Sequence, residues 1–259
     1  MPLTQQLLLR FPSFVLGLVI VGGAVLFSII GVLVVRSFVP KARLKDHHDV
    51  AGPILGALSV VYAVLLAFVA VNVWQNFEES NTNVELEANY LTDLYTDSEA
   101  FSGDFHQKLG GLLREYKQVV VNDEWKTMAR GEMSPKAQEL IKQIWSLYTV
   151  YAPKTPTEQS FFDESVRKLN QFRELRSLRI MESRVGMQPL LWFVLIIGGL
   201  SVISFTFLFG MENLPAQLTM AILLAVVIAL VIFVIMAFDY PFTGEVSISS
   251  EPFKRMLMD

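Results

Sequence analysis

Residues 52–74 read GPILGALSVVYAVLLAFVAVNVW and contain no charged side chain. A helix needs about 20 predominantly apolar residues to cross the hydrocarbon core of a bilayer, so this stretch is long enough. The chain continues without a proline or glycine through residues 75–101, QNFEESNTNVELEANYLTDLYTDSEAF, where apolar residues recur at helical spacing among Glu and Asp. The sequence therefore predicts one continuous helix, buried in the membrane at its start and amphipathic in water at its end. Such a helix would couple a soluble domain rigidly to the membrane.

Three further apolar runs are long enough to span a bilayer: Phe14–Val35, Leu190–Phe209 and Leu218–Phe238. Together with Ile54–Trp74 they predict four transmembrane helices. The composition agrees, because 53% of the 259 residues are hydrophobic and only 18% are charged. The first run is too long for a cleaved signal peptide and lacks an A-x-A-like site, so we expect it to remain as an anchor.

The composition also excludes several classes of protein. The chain has no cysteine, which excludes disulfides, thiolate metal sites and cysteine nucleophiles. Its formal charge of −4 gives no large basic surface, so we do not expect nucleic acid as a partner. The sequence contains no phosphate-binding glycine loop, no HExxH and no CxxC. We therefore expect neither enzymatic activity nor a bound cofactor.

The segment between the second and third spans, residues 102–188, is predicted to be helical throughout. The serine and proline at 134–135 are typical of a helix start, with an N-cap followed by proline at the first helical position. The stretch TPTE at 155–158 shows the same signal, with the glutamate that completes a capping box. Counting the end of the second-span helix, these signals predict four helices in an antiparallel arrangement.

These elements predict an all-α polytopic membrane protein with four transmembrane helices and a helical-bundle soluble domain between spans two and three. Four spans place both termini and the helical domain on one side of the membrane, but the basic residues that flank the spans disagree about which side. We expect five segments: a lead-in, first span and basic loop (1–53), the second span and its soluble continuation (54–101), the helical soluble domain (102–188), the hairpin of spans three and four (189–238), and a tail (239–259) lying on the soluble domain as an extended arm.

The second span has two faces. Small residues at three- and four-residue steps let another helix approach closely. Roughly a quarter turn away lies a bulky apolar line with a tyrosine near its middle and an amide at its exit. The bulky line either packs in a helix bundle or lines a pore with a hydrophobic constriction that gates by dewetting, and periodicity leaves both open. The small face is Gly52, Gly56, Ser59, Ala63, Ala67 and Ala70, and the bulky line is Tyr62, Leu66, Val69, Val73 and Asn76.

Charged residues lie at both ends of the soluble segment. Acidic residues follow the second span and basic residues precede the third, so we expect both groups in the same membrane-proximal layer. They either form salt bridges between neighbouring helices or line a vestibule, where an acidic set would admit cations and a basic set anions. The acidic set is Glu78, Glu79, Glu85 and Glu87, and the basic set is Arg173, Arg176, Arg179 and Arg184.

Two further spots carry ionisable residues. The most metal-like cluster in the chain is Asp46, His47, His48 and Asp49. It lacks the i, i+4 histidine spacing of a helical zinc site. The alternatives to metal binding are a solvated turn and a proton-sensitive loop. Spans three and four contain no ionisable residue before Asp239, which disfavours proton coupling because proton relays usually place such groups inside the membrane. We interpret Asp239 as an interfacial cap.

Several phrases in the chain are familiar as a set. They are DVAGPILGALSVVYAVLLAFVAVNVW at 49–74, VELEANYLTDLY at 84–95, NDEWKTMARGEMS at 122–134, PLLW at 189–192 and FDYPFTGEVSIS at 238–249. This set resembles the bestrophin-like family of four-span membrane proteins, over about residues 49–253.

Through that family the chain is similar in layout to the bestrophins, with two spans, a helical region, two spans and a tail. The resemblance implies a pentameric anion channel in a bacterial inner membrane, with a cytoplasmic helical domain and an apolar neck formed by the second span. It would place the bulky line from Tyr62 to Asn76 on the pore. The sequence departs from bestrophins in lacking an evident acidic calcium clasp, so the resemblance does not extend to calcium gating.

The sequence and the resemblance leave two functions open, which belong to different classes of protein. The first is a homo-oligomeric ion channel that admits small inorganic ions, with anions favoured by the resemblance. The alternative is a non-conducting membrane-anchored scaffold or sensor whose helical domain binds a partner. A channel should place the second span around a central axis, whereas a scaffold needs no axial pathway.

Overall fold

The computed structural model describes residues 2–39, 48–211 and 213–256, apart from the side chains of residues 48 and 49. The chain divides into two compact units. The helical unit consists of Met1–Leu9, Asn76–Gly186 and Tyr240–Asp259, and the membrane unit consists of Arg10–Gln75 and Met187–Asp239. The units do not follow the chain segment by segment, since the first nine residues and the tail both belong to the helical unit.

Within the described residues all regular structure is helical, and ten α-helices form it. A 3₁₀ turn at Ser98–Ala100 and a π-helical turn at Val120–Glu124 interrupt the series. The helices are α1 (Leu3–Arg10), α2 (Ser13–Phe38), α3 (His48–Asp97), α4 (Gly103–Val119), α5 (Trp125–Met128), α6 (Pro135–Val150), α7 (Pro156–Glu182), α8 (Pro189–Phe207), α9 (Leu214–Phe238) and α10 (Glu251–Arg255).

Four of these helices, α2, α3, α8 and α9, are long and apolar enough to cross a membrane. The predicted all-α class with four spans is therefore confirmed, and the protein is a multi-pass membrane protein. The predicted continuous helix is also present, because α3 runs unbroken from His48 to Asp97. It exceeds the roughly 20 residues that a bilayer core needs by more than a factor of two.

The helical unit is built on the apolar stripes that the sequence indicates. The end of α3 and helices α4, α6 and α7 bury Leu91, Leu109, Ile144 and Leu169 in one core. The predicted N-caps are confirmed, since the Ser134 hydroxyl accepts from the amide of residue 137 and the Thr155 hydroxyl from that of residue 158. The capping box at 155–158 differs in one contact. Its glutamate side chain accepts from the amide of residue 154 instead of reaching back to the cap residue.

Helix α1 and the described part of the tail both make contacts within the helical unit. The Gln5 amide in α1 donates to the carbonyl of Ser183 at 3.1 Å. The tail lies on the same unit, as expected, because the Trp125 indole donates to the carbonyl of Ile248 at 3.0 Å and Phe253 is fully buried. The tail also contains the short helix α10, which the expectation of an extended arm did not include.

Candidate functional site

The bulky line on the second span lies in the core of the membrane unit. Tyr62, Leu66, Val69 and Val73 are all buried among apolar residues of the other spans, with 5–8% of their surfaces exposed. The Tyr62 hydroxyl donates to the carbonyl of Leu195 in α8 at 2.8 Å. Asn76, the last residue of the line, is exposed. We call the four buried residues the buried line. Packing explains their position within one subunit, and their predicted pore lining stays a prediction.

Two adjacent glycines on α8 make room for the Tyr62 ring. A Cβ atom added to Gly198 would lie 2.7 Å from the ring carbons Cδ2 and Cε2 of Tyr62, and one added to Gly199 would lie 2.8 Å from its hydroxyl oxygen. These distances are shorter than Cβ contacts in folded proteins. The glycine pair therefore sets how closely spans two and three approach.

Replacing Gly198 with Ala is expected to lower the free energy of unfolding by about 1–3 kcal/mol, because the added methyl overpacks this contact. The measurement is thermal unfolding of the purified protein in detergent. Gly22→Ala in α2 is the matched control, since a Cβ there meets no atom within 4 Å. Equal melting temperatures for the two variants would contradict the close approach of Tyr62 to α8.

The opposite side of the second span is exposed. Its centre is a stripe of larger side chains with helical spacing, and Phe68 is the most exposed of its apolar members at 74%. Beside it runs a narrower stripe of small residues, which leaves the backbone open to close approach by another helix. This stripe alone does not distinguish a channel from a scaffold. We call Val60, Val64, Phe68, Val71 and Gln75 the exposed stripe, and Gly56, Ala63 and Ala67 the small-residue stripe.

A buried ion pair lies in the helical unit between α3 and α7. Arg179 is fully buried, and its Nε and Nη2 atoms donate to the two carboxylate oxygens of Glu87 at 2.6 and 2.8 Å. The Tyr116 hydroxyl donates to the same carboxylate at 3.2 Å, and the guanidinium lies 5.0 Å from the centre of the Trp125 ring. The predicted salt bridging between the acidic and basic sets is confirmed for this pair.

A second buried pair adjoins the first. Arg176 lies 2.8 Å from the carboxylate of Glu124, the last residue of the π-helical turn, and donates to the Gln138 amide oxygen at 2.9 Å. Burial opposes the charge of Arg179, but the carboxylates of Glu87 and Glu124 outweigh it and raise the pKa of Arg179. Burial raises the pKa of Glu124 against the opposing effect of the two arginines. Arg179 therefore stays charged in its buried pair.

The remaining residues of the two charged sets are exposed or half-buried. Arg173 stacks on the Trp145 ring at 4.7 Å, and Glu85 pairs with Arg255 of the tail at 2.9 Å. Glu78 and Glu79 are exposed on α3. The structure thus separates the predicted vestibule residues, since Arg176 and Arg179 are buried in ion pairs while Arg173, Glu78, Glu79 and Glu85 are accessible. A vestibule function for these residues stays a prediction.

Sequence reasoning missed Glu124. It lies in the stretch VNDEW at 121–125, which reads as a polar surface, and no periodicity signal marks the π-helical turn that ends at this residue. π-Helical turns are rare and often occur at functional positions. The acidic partner of Arg179, by contrast, belongs to the predicted acidic set.

The metal-like cluster at 46–49 lies outside the described residues, apart from the backbone of its last two members at the start of α3. In the part of the chain that the structure describes, no group of three or more His, Asp or Glu residues is placed to hold a metal ion. Asp239 follows the end of α9, and its Oδ1 atom accepts from the backbone amide of Met187 at 2.6 Å. Its predicted role as an interfacial cap stays a prediction.

Comparisons with known proteins agree with this architecture. A protein-family model described as Bestrophin-like domain matches residues 22–253. Two crystal structures of a bacterial bestrophin homologue from Klebsiella pneumoniae, each carrying one point mutation, are similar in fold. One has a TM-score of 0.67 at 8% sequence identity and covers 89% of this chain and 93% of that chain. The other has a TM-score of 0.68 at 9% identity, with coverage of 92% and 94%. No curated protein matches the sequence.

Proposed function

Because the chain belongs to the bestrophin-like family, we propose that it forms a homo-oligomeric ion channel whose second span lines the pore. The observation that carries this proposal is the family match over residues 22–253, together with the fold shared with bacterial bestrophin homologues. The resemblance to bestrophins favours conduction of anions, a pentamer, and an inner-membrane location with the helical unit in the cytoplasm.

The exposed stripe is the face of the second span that we assign to the pore. The buried line packs between helices of its own subunit, which favours the opposite face of the helix for the pore. The exposed stripe, in contrast, is apolar from Val60 to Val71 and ends in the Gln75 amide. An apolar ring of such residues forms a constriction that gates by dewetting. Pore lining by the buried line remains the alternative.

The small-residue stripe is suited to contact with a neighbouring copy. Helices in membranes associate through close packing of small residues, because lipid provides no hydrophobic driving force between them. An added Cβ atom at Gly56 would meet no other atom within 4 Å, and Ala63 and Ala67 are exposed, so this stripe is accessible in the described part of the subunit. The stripe and the pore face adjoin on one helix, as a ring of second spans requires.

Replacing Ala63 with Phe is expected to dissociate the oligomer, because the ring prevents close approach of the neighbouring helix. Native mass spectrometry of the purified protein measures the subunit number. Ala57→Phe is the matched control, since Ala57 is also exposed on the same helix but lies outside the small-residue stripe. An intact oligomer in both variants would contradict the assigned interface.

Ion flux into liposomes tests the proposed function. The purified oligomer is reconstituted, and chloride and potassium gradients are applied separately. We expect chloride flux that exceeds potassium flux and is absent from empty liposomes. No flux of either ion through an intact, oligomeric protein would favour the scaffold alternative, and potassium flux alone would overturn the anion assignment.

A further inference from the structure

The helical unit contains a cleft of about 860 Å³ between helices α6 and α7. Its rim includes Met133, which precedes α6, and Val185, which follows α7. The volume lies within the range of roughly 300–1,000 Å³ that is usual for small-molecule sites. No residue of the second-span faces lines the cleft, and the channel proposal gives it no function.

All the charged side chains that line this cleft are basic. Lys142, Arg173, Arg176 and Arg184 line it, and none of its lining residues is an Asp or Glu. Lys142 also lies 3.7 Å from Glu139, but both side chains of that pair are largely exposed, so their attraction is weak. Four cationic side chains around one cleft favour an anionic ligand.

The arginines are held in place before any ligand arrives. Arg176 is only 5% exposed and is fixed by Gln138 and Glu124, yet its Nε atom has no hydrogen-bond acceptor among the described residues. The Nε of Arg184 donates to the backbone carbonyl of Gly131 at 3.0 Å. Arg173 is stacked on Trp145. Such preorganisation lowers the entropic cost of binding, and arginine suits phosphate and carboxylate groups because it can donate two parallel hydrogen bonds.

The rest of the lining is apolar. Ile141, Trp145, Ile180, Met181 and Val185 contribute to it. Two of them are exposed to a degree that is unusual for large apolar side chains, with Met181 at 52% and Val185 at 63%. A purely ionic ligand would leave this apolar surface in water, whereas a ligand with an apolar part would cover it.

We propose that this cleft binds an anionic amphiphile, with a phosphate or carboxylate head group held by Arg173 and Arg184 and an apolar chain covering Trp145, Met181 and Val185. The head group can belong to a membrane lipid or to a soluble acyl or alkyl anion. The binding is independent of conduction, so its test does not depend on the channel proposal.

Octyl phosphate is the probe, and isothermal titration of the full-length protein in phosphatidylcholine nanodiscs is the measurement, with empty nanodiscs as the blank. We expect saturable binding. Inorganic phosphate and octyltrimethylammonium should each bind at least about tenfold more weakly, because one lacks the chain and the other the anionic group. Octyltrimethylammonium binding as tight as that of octyl phosphate would overturn the proposal.

The double variant Arg173→Gln/Arg184→Gln is expected to weaken octyl phosphate binding about tenfold or more. Arg167→Gln is the matched control, because Arg167 is exposed on the same helix and pairs with Glu164 but does not line the cleft. Arg173→Lys/Arg184→Lys keeps the charge but not the paired hydrogen bonds, and should weaken binding less than the Gln double variant does. Unchanged affinity in the Gln double variant, or no binding to the intact protein because a second copy covers the cleft, would overturn the proposal.

Nanodiscs that contain phosphatidylglycerol distinguish a membrane lipid from a soluble anion as the ligand of the cleft. Weaker apparent binding of octyl phosphate in these discs would identify the lipid head group as the ligand, since the lipid then competes for the cleft. Unchanged binding would identify a soluble anion. Either result supports an anionic site, provided that the Gln double variant has lost it.

Discussion

Glu87→Gln is expected to lower the free energy of unfolding by about 3–5 kcal/mol, the usual cost of removing one partner from a buried ion pair. The charge of Arg179 would remain in the core, where Glu87 now accepts two of its hydrogen bonds. Arg179 would keep this charge, because arginine does not lose its proton in proteins. The carboxylate of Glu124 would compensate for the charge only in part. Denaturant or thermal unfolding of the purified protein provides the measurement.

Glu85→Gln is the matched control for this prediction. Glu85 lies on the same helix two residues earlier, and its pair with Arg255 is exposed, so its removal should have little effect. The double variant Glu87→Gln/Arg179→Met should recover part of the loss, because it no longer buries an unpaired charge. If Glu87→Gln and Glu85→Gln unfold alike, the buried pair does not stabilise the helical unit.

Phe68→Asp is expected to reduce chloride flux through reconstituted protein about tenfold or more. In a homo-oligomer the substitution places one negative charge per subunit around the apolar constriction, and rings of acidic side chains repel anions. Phe68→Lys is the matched substitution of opposite charge and should retain chloride flux. The measurement compares chloride and potassium flux in liposomes for both variants.

The same pair of variants also tests the position of Phe68 itself. If the exposed stripe faced lipid instead of a pore, both charges would be costly at this depth, and both variants would insert poorly or unfold. Equal loss of flux with equal loss of folded protein would therefore contradict the pore assignment. A difference in ion preference between two well-folded variants can only arise near the ion pathway.

The spans and the length of α3 could be predicted because their cause is local. An uncharged run of sufficient length specifies a transmembrane helix, and an uninterrupted helical pattern specifies its continuation. The caps at Ser134 and Thr155 were predictable for the same reason, since the cap residue and the amide that it accepts lie three residues apart.

The sequence did not predict in this way which face of the second span packs inside the subunit and which face is exposed. The buried line and the exposed stripe are both apolar, so hydrophobicity does not distinguish a side chain facing Leu195 from one facing lipid, a neighbour or a pore. The distinction depends on the glycine pair of α8, which lies more than a hundred residues away in the chain. Glu124 was missed for a similar reason, because its partner Arg176 is remote in sequence and the π-helical turn has no pattern of its own.

Thiol block of chloride flux is the most direct test of the proposal that the exposed stripe of the second span lines an ion pore. The chain contains no cysteine, so single-cysteine variants need no altered background. Chloride flux would be measured in liposomes before and after a charged methanethiosulfonate reagent, for Val64→Cys and Phe68→Cys against Tyr62→Cys and Val69→Cys. We predict that the reagent blocks flux in the first two variants and leaves it unchanged in the other two. Block confined to Tyr62→Cys and Val69→Cys would place the buried line on the pore, and flux unaffected in all four would contradict a pore along the second span.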